Sequence, residues 1–143
     1  DGFGVLVLEY VPAFETLGDA DAATVRELAP DLFAALDRMH RAGLAHGDLR
    51  SENVLVVDGD LYFIDATNVR GDIADARAYD VACALGVLSP LLGPATSVEL
   101  AVDAFGVETL LSARDFLDFV TIRPDHDFDA TAVKGEIEKV AAG

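Results

Sequence analysis

The run His46-Gly47-Asp48-Leu49-Arg50-Ser51-Glu52-Asn53 is followed by Leu61-Tyr62-Phe63-Ile64-Asp65. It sets an aspartate, an asparagine five residues later and a second aspartate at the end of an apolar strand. Such oxygen donors suit phosphoryl transfer, in which one carboxylate orients a hydroxyl and two further ligands hold a hard Mg²⁺ ion. Each residue alone has an ordinary reading. Asp48 could be a capping residue, Asn53 a turn residue, and Asp65 an exposed strand terminus. In this order and spacing they read as one site.

The elements around the run must position it. Val54-Leu55-Val56-Val57 and Leu61-Tyr62-Phe63-Ile64 flank Asp58-Gly59. Asp-Gly between two apolar runs is a strong hairpin signal. A hairpin brings Asn53, which enters one strand, near Asp65, which leaves the other. Upstream, Val25, Leu28, Leu32, Phe33, Leu36 and Met39 form one apolar stripe over Ala23–Arg41. Pro30 inside that stretch suggests two stacked helices, and Gly43 stops the second. Val5-Leu6-Val7-Leu8 reads as a buried strand running into Glu9-Tyr10-Val11-Pro12.

Downstream, residues 68–75 read as a polar loop and 76–92 as a helix buried almost all round, stopped by Gly93-Pro94. Further helices are expected from Thr96 to about Phe105, from about Ser112 to Ile122, and from Ala132 to Ala142 behind a cap at Asp129 or Thr131. The segment 123–128 is a polar loop carrying His126.

Composition narrows the function. The chain has 143 residues and a net charge of −16, from 26 acidic and 10 basic side chains. One domain with a real core is expected. The acidity resembles that of salt-loving archaeal proteins, with general acidic solubility as the plainer alternative. Without a Lys/Arg cluster, direct nucleic-acid binding through this segment is not expected. No apolar run spans a membrane and no signal peptide is visible, so a cytoplasmic location is expected. Cys83 is the only cysteine, which excludes an internal disulfide and leaves core packing as its role. His40, His46 and His126 are too scattered for a histidine metal site.

The loop and strand resemble the catalytic loop and metal-binding strand of the protein-kinase-like superfamily, with RIO-type atypical kinases most similar. The resemblance implies an α+β fold, the mostly helical C-terminal lobe of a kinase-like protein, with a short hairpin carrying the metal site. It divides 1–143 into the end of an N-lobe strand and hinge (1–12), the catalytic loop and hairpin (46–65) and a helical subdomain (76–143). By the same resemblance, Asp48 is the catalytic aspartate and Arg50 lies near the transferred phosphate. Asn53 and Asp65 hold Mg²⁺ and with it ATP, and Glu9 and Val11 offer backbone groups to adenine. His46 and Asp80 support the loop, with Asp80 buried and accepting from the backbone near His46 and Gly47.

Departures from the family refine this. Gly47 stands where phosphorylation-regulated kinases carry Arg. Asp65 is followed by Ala66-Thr67, and only the fourteen residues from Ala66 to Tyr79 separate it from Asp80. No long peptide groove is expected. The Gly-rich loop and strand Lys of a kinase would precede the hinge. The expectation is therefore a fragment lacking the N-terminal lobe, inactive and weak in ATP binding by itself. The phosphate acceptor, protein or small molecule, stays open. Two alternatives to a RIO-like serine/threonine kinase or ATPase also remain. One is a small-molecule phosphotransferase of the aminoglycoside or choline type, in which Asp125-His126-Asp127 could bind substrate. The other is a non-catalytic pseudokinase module.

Overall fold

Asp58 and Gly59 both adopt positive φ, at 51° and 81°. Two such residues in succession match the right-handed twist of the flanking strands and close a two-residue hairpin. The computed structural model describes residues 15–64, 73–122 and 127–143. In it β1 (Glu15–Thr16), β2 (Val54–Val57) and β3 (Asp60–Phe63) form one antiparallel sheet in the order β1-β2-β3. Val54 pairs with Phe63 and Val57 with Asp60 across the hairpin, and Thr16 pairs with Leu55 on the other side. The short strand β1 has no counterpart in the sequence reading. The strand expected at Val5–Leu8 lies outside the described residues.

The rest is helical: α1 (Ala22–Arg41), α2 (Ile73–Leu92), α3 (Pro94–Phe105), α4 (Val107–Arg114), α5 (Leu117–Ile122) and α6 (Ala130–Ala142). Asp21 caps α1, its carboxylate accepting from the Thr24 N–H at 2.7 Å. That bond holds the Asp21 carboxyl below its ordinary value of 3.8. Asp129 caps α6 in the same way through the Ala132 N–H at 3.0 Å.

α2 is the central rod. Every residue from Asp80 to Ser89 is buried, as its unbroken apolar sequence requires. It packs against α1, α3, α4 and α5. Leu85 and Leu88 on α2, and Phe33 and Leu36 on α1, are fully buried in one continuous core. Cys83 lies in that core as a free thiol.

Three expectations need correction. α1 is one helix through Pro30. Pro30 is exposed, so the carbonyl it leaves without a helical donor lies on the face where water can serve it, while the buried stripe continues on the other side. α2 begins at Ile73, so the end of the expected 68–75 loop is helix. The single helix expected from Ser112 to Ile122 is two helices, α4 and α5, parted at Asp115-Phe116, and α4 starts back at Val107. Gly106, at φ 84°, makes the break between α3 and α4.

The result is a mostly helical α+β fold with a small antiparallel sheet, consistent with the C-terminal lobe of a kinase-like protein. No described helix is both long and apolar enough to cross a membrane.

Candidate active site

Residues 42–53 connect the end of α1 to β2, and little regular structure holds them. A buried carboxylate does so instead. Asp80 is fully buried on α2. Its Oδ2 accepts from the His46 N–H at 2.7 Å and from His40 Nε2 at 2.9 Å, while Oδ1 accepts from the Gly47 N–H at 2.9 Å. A carboxylate with no water must be satisfied internally, and here three donors converge on it. Gly47 makes its bond at φ 83°, a conformation that costs a Cβ-bearing residue about 1 kcal/mol or more. The expected role of Asp80 as the anchor of the loop is what the hydrogen bonds display.

His46 fixes the next turn. Its ring is buried. The Asp48 N–H lies 3.2 Å from His46 Nδ1, and His46 Nε2 lies 3.0 Å from the Ile64 carbonyl. With Nδ1 accepting, the proton must sit on Nε2 and be donated to Ile64, an assignment made from the bonding pattern. Phe63 meets the ring edge-on at 5.7 Å. His46 thus ties the loop to the exit of the hairpin.

Asn53 closes the loop on itself. It is buried, and its Nδ2 donates to the Asp48 carbonyl at 2.9 Å. Its backbone carbonyl accepts from the Ile64 N–H at 3.0 Å, so Asn53 stands opposite Ile64 at the open end of the hairpin. With Nδ2 committed, the side-chain oxygen Oδ1 remains as its acceptor. An amide oxygen is a donor of the kind that Mg²⁺, which prefers oxygen ligands, accepts. Asp65 follows Ile64 directly in sequence, but it lies outside the described residues, as do Glu9 and Val11 of the expected hinge. Among the described residues no cluster of three His, Cys, Asp or Glu could hold a metal.

Asp48 and Arg50 complete the loop. The Asp48 side chain is 16% exposed and the Arg50 side chain 24%, and their closest approach is 3.3 Å between Oδ2 and Nη2. Arg50 also contacts Glu52 through Nη1 at 2.9 Å. Asp48 therefore keeps a partly accessible edge next to a guanidinium.

Of the residues expected at the site, the structure brings together His46, Asp48, Arg50, Asn53 and Asp80. Two contributors were missed. His40 was set aside as a scattered histidine, yet it is buried against Asp80. Arg77 was not singled out, yet its Nη2 donates to the His40 carbonyl. A signal existed for His40: it falls four residues after Leu36, on the apolar stripe of α1, and a polar residue at a core position needs a partner.

The geometry defines an irregular loop anchored on a buried helix aspartate. In comparison with known proteins, residues 3–72 match the RIO domain, which supports a likeness to RIO-type atypical kinases over this segment. A probable bifunctional tRNA threonylcarbamoyladenosine biosynthesis protein from Methanothermobacter thermautotrophicus is 39% identical over 62 residues, 43% of this chain. The chain spans about 11% of that relative's length. No solved structure matches the chain significantly.

Proposed function

We propose that this chain carries the catalytic loop of a RIO-type, ATP-dependent phosphotransferase or ATPase whose acceptor is a serine/threonine hydroxyl or water. The observation that carries the reading is the bond set around Asp80 and Asn53, which holds an accessible Asp48 beside an acceptor-bearing Asn53 at the hairpin mouth. Asp48 would orient the attacking hydroxyl and accept its proton, and Arg50 would lie against the transferred phosphate. Asn53 Oδ1 and Asp65 would hold Mg²⁺, which when bound neutralises charge on the ATP phosphates. Glu9 and Val11 would offer backbone groups to adenine. His46 and Asp80 keep the loop in shape.

The test is incubation of the whole gene product with γ-labelled ATP, with and without Mg²⁺. Mg²⁺-dependent label on a protein hydroxyl supports a kinase, and Mg²⁺-dependent release of phosphate supports an ATPase. Neither label nor phosphate would sink the reading and leave the pseudokinase alternative. Transfer to a small aminoalcohol would instead favour the aminoglycoside or choline type.

The 39% identity supports a second, narrower reading, that this turnover serves tRNA threonylcarbamoyladenosine formation. The net charge of −16 assigns contact with tRNA to a partner rather than to this segment. The modification disappearing from the tRNA of a strain carrying Asp48→Asn supports that reading; its retention refutes it.

A further inference from the structure

Arg77 is out of pattern for this chain. With 26 acidic and 10 basic residues, a guanidinium should find a carboxylate easily, as Arg41, Arg50 and Arg114 do. Among the described residues Arg26 and Arg38 do not, but both are exposed to water. Arg77 is half-buried on α2, three residues before Asp80, and its one hydrogen bond among the described residues runs from Nη2 to the His40 carbonyl. No carboxylate of the described residues is within ion-pair distance of it, and its Nε is buried with no partner. A half-buried cation that a single neutral carbonyl serves is under-compensated. Arg77 also lines a cavity, from which a ligand could approach its guanidinium.

That cavity has a volume of about 470 Å³, and His40 is among the residues that line it. Arg41, Thr109 and Ser112 bring further donors to its walls, and Asp37 and Glu108 bring carboxylates. Asp37 is already paired with Arg41 at 2.9 Å, which leaves Glu108 as the acidic group that opposes an anion. The first turn of α4 forms one wall, and Gly106 at its start has no side chain with which to cap it.

We propose that this cavity binds a small oxyanion, a phosphate or carboxylate group, on Arg77. The site is separate from the phosphotransferase centre and does not depend on that reading. A planar guanidinium presents paired donors that match either group. Occupancy would reach the catalytic loop through a continuous chain of bonds: Arg77 to the His40 carbonyl, His40 Nε2 to Asp80, and Asp80 to the His46 and Gly47 N–H groups. A bound anion would hold Arg77 and His40 in place and slow the opening of that loop.

The test is titration of the whole gene product with inorganic phosphate, and separately with acetate, at ionic strength fixed with chloride and followed by amide NMR shifts. Saturable shifts should appear around Ala74–Ala78 and Glu108–Ser112. Arg77→Gln should weaken binding about tenfold or more, through loss of a charge-assisted hydrogen bond. Glu108→Gln, an exposed change that leaves the core untouched, should strengthen it about two- to threefold by removing a like charge. Arg50→Gln should leave it unchanged, and hydrogen exchange of the His46 and Gly47 amides should slow when phosphate is bound. Preference for phosphate over acetate assigns the ligand class to phosphates, and preference for acetate assigns it to carboxylates. Shifts confined to the catalytic loop and lost in Arg50→Gln would overturn the proposal. So would affinity that Glu108→Gln does not raise, or loop exchange that phosphate does not slow.

Discussion

The loop from His46 to Asn53 and the helical core are stabilised by opposite means. Between His46 and Asn53 the backbone is irregular, and its shape is set by hydrogen bonds to Asp80, His46 and Asn53. Between Asp80 and Leu117 the chain is regular, and its position is set by burial of apolar side chains. The first region is directional and fails when one acceptor is lost. The second is distributed and tolerates a small loss at any one point. Asp80 belongs to both, since it sits on the most buried helix yet spends its carboxylate on the loop. The site is therefore presented by the core, although it shares little of the core's chemistry.

Substitutions should separate the two regions. Asp80→Asn would face three donors with one acceptor and an amide, leaving buried N–H groups unsatisfied at about 1–3 kcal/mol each. A loss of roughly 3 kcal/mol or more in chemical denaturation is expected, with faster amide exchange at His46 and Gly47. A loss under about 1 kcal/mol would mean that the anchor is replaceable. Leu85→Ala, in the fully buried stretch of α2, should cost about 2–5 kcal/mol. Its effect should be global: a lower denaturation midpoint, with turnover per folded molecule kept. If Leu85→Ala abolished turnover in protein that is still folded, the division between core and loop would be wrong.

His40→Ala comes next, at about 1–3 kcal/mol for the lost partner of a buried carboxylate. Its exchange signature should resemble that of Asp80→Asn, because His40 acts on the loop only through Asp80. Smallest is the cap of α1, which is remote from the site. Asp21 has a carboxyl held below 3.8 by the Thr24 N–H, so its folded-state pKa is depressed. Its contribution is complete above the unfolded value of 3.8 and fades as pH falls through the lower folded value. The stability difference between the wild type and Asp21→Asn should shrink as acid titration passes below 3.8, and a difference constant with pH would contradict it.

How much the sequence disclosed follows the same division. The hairpin was legible because Asp58-Gly59 has few conformations open to it. The anchoring by Asp80 was legible because a carboxylate that opens an unbroken apolar helix must find donors. The long helices were legible from their apolar stripes. The breaks at Gly106 and Asp115-Phe116 were not, since helices of eight and six residues show too few turns for a stripe to stand out. The continuity of α1 through Pro30 was misread because the sequence does not say which face of a helix a proline occupies. His40 and Arg77 escaped notice because their partners are remote, Asp80 being 40 residues from His40. Periodicity carries no record of such pairs. Asp65, on which the metal assignment leans, stays a sequence-based proposal.

The most direct test pairs nucleotide affinity with turnover in Asp48→Ala and Asp65→Ala of the whole gene product. If Asp48 orients the acceptor and Asp65 holds the metal, Asp48→Ala should lower turnover by about a hundredfold or more while Mg²⁺-ATP affinity stays near the wild-type value. Asp65→Ala should lower both. Turnover unchanged in the two variants would contradict the phosphotransferase reading and leave a scaffold built on a kinase-like loop.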